Sequence, residues 1–166
     1  MRRLIYGIAA AGLLSAQQAQ AQLACLTPDE RAAIHVAALR SELMVLATGC
    51  HDDDAYNAFI RKYQSALVAD ENAVGAILKH KYGRRAQQEH DLFTTELANY
   101  ESDAATALGS DFCAHNGVMF TEVMALQNAS DLAAYAAGKN LMPPTLSACT
   151  EVAEAPAPAR RAVKRH

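Results

Sequence analysis

The stretch TPDERAAIHVAALRSELMVLATGC, residues 27–50, decides the fold. Thr27 offers an N-cap hydroxyl, Pro28 a preset φ at the first helical position, and Glu30 a carboxylate three residues on: the pattern of a reciprocal capping box. Apolar side chains then step by three and four through Val36, Leu39, Leu43, Leu46 and Cys50, while Ile34, Ala37, Ala38 and Met44 widen the stripe. These residues predict a helix over 28–48, with Gly49 as its left-handed stop.

The same period continues downstream. Asp52, Asp53 and Asp54 supply N-cap candidates and negative charge for a second helix, whose stripe is Tyr56, Phe59, Ile60, Tyr63, Leu67, Val74, Ile77 and Leu78. Gly75 is a possible bend and Gly83 the stop. A third stripe runs through His90, Phe93, Leu97, Tyr100, Ala104 and Ala107 to Gly109. Ser110 or Asp111 caps a fourth helix that uses Phe112, Met119, Phe120, Val123 and Leu126, and a short fifth carries Leu132 and Tyr135 up to Gly138. No strand-like alternation competes. Short connections make successive helices antiparallel neighbours, so the expectation is an all-α, up-down four- to five-helix bundle.

Composition agrees with one helical domain. Half the 166 residues are hydrophobic, but Trp is absent and only six Tyr and four Phe are present, so the core must be thin and built from closely approaching helices. Residues 22–150 hold nine Lys/Arg against sixteen Asp/Glu, and such an acidic body excludes nucleic acid as the main partner.

The N-terminus reads as an address. Arg2 and Arg3 precede an apolar run, Leu4 to Leu14, that is too short to cross a bilayer, and Ala19-Gln20-Ala21 is a small-x-small cleavage site. Residues 1–21 are therefore expected to be a signal peptide, leaving no transmembrane span in the mature chain. Lipidation at Cys25 is the minor alternative. Residues 22–150 form the helical domain, and 151–166, Pro/Ala-rich and ending in Arg160, Arg161, Lys164, Arg165 and His166, form a disordered basic tail capable of weak contact with an anionic surface.

Export changes how the cysteines are read. Four cysteines in an oxidising compartment with no C-x-x-C point to two structural disulfides. An up-down bundle puts Cys25 and Cys149 at one pole and Cys50 and Cys113 at the other, favouring those two pairs over the other connectivities.

Candidate chemistry is sparse, and no catalytic residue and no cofactor are assigned. His51 with Asp52, Asp53 and Asp54 is the densest set of potential metal ligands, against the plain reading of a charged helix start. Lys79, Lys81, Arg84 and Arg85 are the one basic cluster of the body, able to hold an anion or simply to favour a helix C-terminus. His90 between Glu89 and Asp91, and Asp111 four residues before His115 near Cys113, are the remaining acid–base combinations; His35 has less support. Walker, G-x-S-x-G, H-E-x-x-H, G-x-G-x-x-G and haem-attachment signatures are absent.

Leu39-Arg40-Ser41-Glu42-Leu43-Met44, Tyr56-Asn57-Ala58-Phe59, Leu97-Ala98-Asn99 and Phe112-Cys113 give the chain its likeness to known proteins. Over Cys25 to Cys149 it resembles small exported bacterial four-cysteine helical proteins of unknown function. That resemblance implies the compartment and a helical fold, and no site residue. The expected role is a periplasmic or secreted binding or structural module that meets an envelope component; the alternative is a periplasmic enzyme or metal-binding protein using a His/Asp/Glu cluster.

Overall fold

Helix α1 (Pro28–Cys50) starts where the capping box requires: Thr27 Oγ1 accepts from the Glu30 amide at 3.3 Å, and Glu30 returns a carboxylate to the Thr27 amide at 2.7 Å. The computed structural model describes residues 26–146; the expected signal peptide, Cys25, Cys149 and the basic tail lie outside them. After α1 come α2 (Asp53–Tyr82), α3 (Ala86–Leu108), α4 (Phe112–Asn116), α5 (Val118–Ala125) and α6 (Asp131–Lys139). Among the described residues there is no strand.

The centre is α1. It packs against α2, α3, α4 and α6, and Leu39, Leu43 and Leu46 are fully buried. Burying each stabilises the fold by roughly 1.5–3 kcal/mol. Ala33, Ala37, Ala38 and Ala47 on the same helix are also buried. Helix α1 is long and apolar enough to cross a membrane by length and composition, yet 61% of its most apolar window is buried inside the bundle.

Short reversals stack α2 and α3 beside α1. Gly83 and Gly109 take positive φ, 58° and 55°, at the ends of α2 and α3, and each leads into a single 3-10 turn. The α1–α2 reversal differs from expectation, because α1 continues through Gly49 to Cys50 and the left-handed cap is His51 (φ 61°). Gly49 lies within the helix against Phe112, where an added Cβ would make an ordinary 3.6 Å contact with the ring. Asp52 occupies the N-cap position of α2, and Asp111 that of α4, without a side-chain capping hydrogen bond.

Three further expectations are corrected. Helix α2 departs from helical geometry at Tyr63 (φ −109°, ψ 15°), not at Gly75. There Tyr63 Oη donates to the Val123 carbonyl at 2.6 Å and Lys62 Nζ to the Met124 carbonyl at 2.6 Å, so α5 is pinned where α2 bends. The fourth long helix is split at Gly117, where an added Cβ would lie 2.8 Å from the Cys113 carbonyl oxygen; α4 stays with α1 and α5 follows α2. Helix α6 runs through Gly138 to Lys139 and takes its left-handed cap at Asn140 (φ 56°). Its neighbour α5 is held to it by Glu122, which accepts from Tyr135 Oη and pairs with Lys139, both at 2.6 Å.

Cys50 and Cys113 form a disulfide with Cα atoms 5.6 Å apart, joining the end of α1 to α4. This bond is compatible with export to an oxidising compartment.

Candidate functional site

A cavity of about 500 Å³ opens between α1, α2 and α3. Helix α1 presents Ala37, Arg40, Ser41 and Met44 to it, residues at the three- and four-residue spacing of one helical face. Tyr56, Asn57, Ile60, Glu71 and Val74 come from α2, and His90, Phe93, Thr94 and Leu97 from α3. The bend at Tyr63 lies between the two α2 groups.

One wall is an ionic relay. Glu71 accepts from Arg40 Nη2 and from His90 Nε2, each at 2.6 Å. Burial alone would raise the Glu71 carboxyl, but hydrogen bonds and charge from Arg40, then from His90, outweigh it and hold the group below the ordinary glutamate range. An ionised Glu71 can only accept, so His90 presents an N–H at Nε2. Burial raises the Tyr56 hydroxyl, with Arg40 opposing. Asp70, beside Glu71 in sequence, is pushed up to about 7, mainly by burial, against the Arg40 charge and with Glu71 adding to the rise.

Ser41 closes the site from below. The residue lines the cavity and is 8% exposed, and its buried hydroxyl has no hydrogen-bond partner. A mid-helix serine ordinarily turns to a carbonyl one turn back, and this hydroxyl makes no such bond. It makes no bond to His90, and the three side chains are therefore not a nucleophilic triad.

A second polar cluster is sealed from solvent. Glu42 on α1 and Glu101 on α3 are each 3% exposed, and Asn116 Nδ2 on α4 donates to Glu42 Oε1 at 3.3 Å. Burial raises both carboxyls, and the hydrogen bond and charge of Glu42 push Glu101 up to about 9. At neutral pH Glu101 thus holds the proton that lets the two groups coexist. Glu42 Oε2 and Glu101 Oε1 remain without partners.

The residues singled out in the sequence are scattered. His51, Asp52, Asp53 and Asp54 are all exposed, and among the described residues no three His, Cys, Asp or Glu side chains form a metal-holding group. His90 pairs with Glu71 across helices rather than with its neighbours: Glu89 lies 3.4 Å from Arg85, and Asp91 accepts from Gln87 at 3.0 Å. Lys79, Arg84 and Arg85 are exposed, Arg85 stands over the Tyr82 ring, and Lys81 lies close enough to the start of α1 to lower the Glu30 carboxyl, after the capping bond from Thr27. Cys113 is disulfide-bonded and cannot act as a nucleophile beside the exposed Asp111 and His115. His35 is half-buried, and burial, then the Arg31 charge, lowers its imidazole.

Arg40, Glu71, Glu42 and Glu101 were missed. A signal existed for Glu42, a charged residue inside the apolar stripe between Leu39 and Leu46, and for Glu101, four residues after Leu97 where the helical face continues. No family model, curated protein or solved structure matches the chain.

Proposed function

We propose that the protein is an exported binding module of the cell envelope that holds a small amphipathic molecule in the cavity between α1, α2 and α3. The Arg40–Glu71–His90 group, set into a largely apolar cavity that Ser41 also lines, carries this reading. Arg40 is already balanced by Glu71, so a free carboxylate entering the site would meet an acidic neighbour. The fitting head group is an uncharged hydrogen-bonding one, a hydroxyl or amide, on a short apolar body. Cleavage after Ala21, residence in the periplasm and a second disulfide, Cys25–Cys149, complete the proposal. Intact mass should begin at Gln22, and peptide mapping without reductant should recover that link; a free thiol in the mature protein rejects it.

The binding test is a thermal-shift series with 1-octanol, octanamide and octanoate. At ten times Kd an uncharged probe should raise Tm by about 4 °C. Octanoate should do markedly less, and the double variant Arg40→Gln, Ser41→Val should lose the response. Equal shifts in wild type and variant would remove the cavity from the function.

A further inference from the structure

The outer side of α3 carries a second groove, of about 780 Å³, bounded on its far edge by Pro143, Pro144, Thr145 and Leu146. Thr145 is hydrogen-bonded to Glu96 in the middle of this groove, so the described chain leaves off at Leu146 already lying against α3. Glu89, Glu96 and Asp103 line it at seven-residue intervals, which places three carboxylates on one helical face about 10 Å apart. Arg85 is the one cation among the lining residues. Tyr82 and Tyr100 add aromatic surface, and Leu92 is 56% exposed there. The groove is acidic and aromatic-lined, and the sequence beyond Leu146 is Pro-rich and carries Arg160, Arg161, Lys164 and Arg165.

We propose that this groove is the docking site for the chain's own segment 151–166. Pro156 and Pro158 favour the extended polyproline conformation that aromatic grooves accept, at about 3.1 Å per residue. At that rise Arg161 and Lys164 stand about 9 Å apart, close to the spacing of successive carboxylates on α3. Fourteen residues separate Leu146 from Arg160, a reach of about 43 Å against about 21 Å from Glu89 to Asp103, so the tether spans the groove with slack. Tethering at this length gives an effective concentration of millimolar order, and contacts too weak to hold a free peptide suffice.

Limited trypsin digestion of the full oxidised mature chain tests this, because trypsin must take the Arg side chain that docking engages. Cleavage at Arg160 and Arg161 should be about five- to tenfold slower than in the Glu96→Gln, Asp103→Asn variant at low salt. The difference should vanish in 0.5 M NaCl and should not depend on protein concentration. Equal rates in both proteins at low salt would overturn the proposal. Protection that grows with protein concentration would assign the groove to a second copy's tail, and protection that needs phosphatidylglycerol vesicles would assign the tail to an anionic surface; either result overturns docking within one chain.

Discussion

Glu71 and Glu101 approach the central helix from α2 and α3, and their surroundings drive them in opposite directions. Glu71 meets Arg40, with His90 on its other oxygen, and stays ionised despite partial burial. Glu101 meets Glu42, which accepts from the Asn116 amide, and keeps a proton up to about pH 9. Arg40 and Glu42 are two residues apart on α1 and so face different neighbours. A carboxylate given a counter-charge can stand in an open cavity and serve a ligand, whereas one given a second carboxylate is tolerated only as a neutral, sealed hydrogen-bonding group.

The largest way to break the acid-pair side of this comparison is to release α4, which carries Asn116. The Cys50–Cys113 bond spans 63 residues, and replacing both cysteines with Ala should cost about 4 kcal/mol in urea unfolding of the otherwise oxidised protein. The ligand response at the Arg40 cavity should survive wherever the variant is folded. A loss below about 1 kcal/mol would mean that α4 is held by packing alone.

Changing pH separates the two regions next. Glu101 has a folded pKa raised above its unfolded value, so its stabilising contribution is full below about pH 4.3 and disappears as pH rises through about 9. Unfolding free energy should fall by about 2 kcal/mol from pH 7 to 9, and Glu101→Gln should flatten that limb. Asp70, raised to about 7, acts in the same direction at lower pH, between its unfolded value and neutrality, and Asp70→Asn should flatten only that part. A wild-type profile level from pH 7 to 9 would show that Glu101 is ionised in the fold.

The smallest effect on stability sharpens the Glu71 side. Arg40 and Glu71 side chains are 31% and 37% exposed, so solvent screens the pair and Arg40→Gln should cost less than about 1 kcal/mol. Its chemical effect is larger: without the guanidinium, burial should prevail and the Glu71 carboxyl should titrate upward, toward the behaviour of Glu101. Carboxyl NMR titration reads this directly, and an unmoved Glu71 would assign its ionisation to His90.

Much of this molecule was legible in residue order because the responsible forces are local. The capping box at Thr27 and Glu30, the glycine stops at Gly83 and Gly109, and the apolar period of α1 and α2 act within one or two turns, and each appears where the pattern puts it, whereas the left-handed cap expected at Gly49 falls at His51. Placing Cys50 beside Cys113 needed only short reversals between long helices. Pairing across helices is different, because a side chain's partner depends on rotation and register, which all packed faces determine together. That is why His90 reaches Glu71 rather than Glu89 or Asp91, why the third stripe turns from Tyr100 to bury Glu101 while Ala104 and Ala107 stay exposed, and why the bend falls at Tyr63, where α5 anchors. The sequence by itself determined the three long helices and the glycine stops of α2 and α3; tertiary structure decided where α1 turns, α2 bends and the fourth helix splits, and which charges share a dielectric, and through that which carboxylate is ionised.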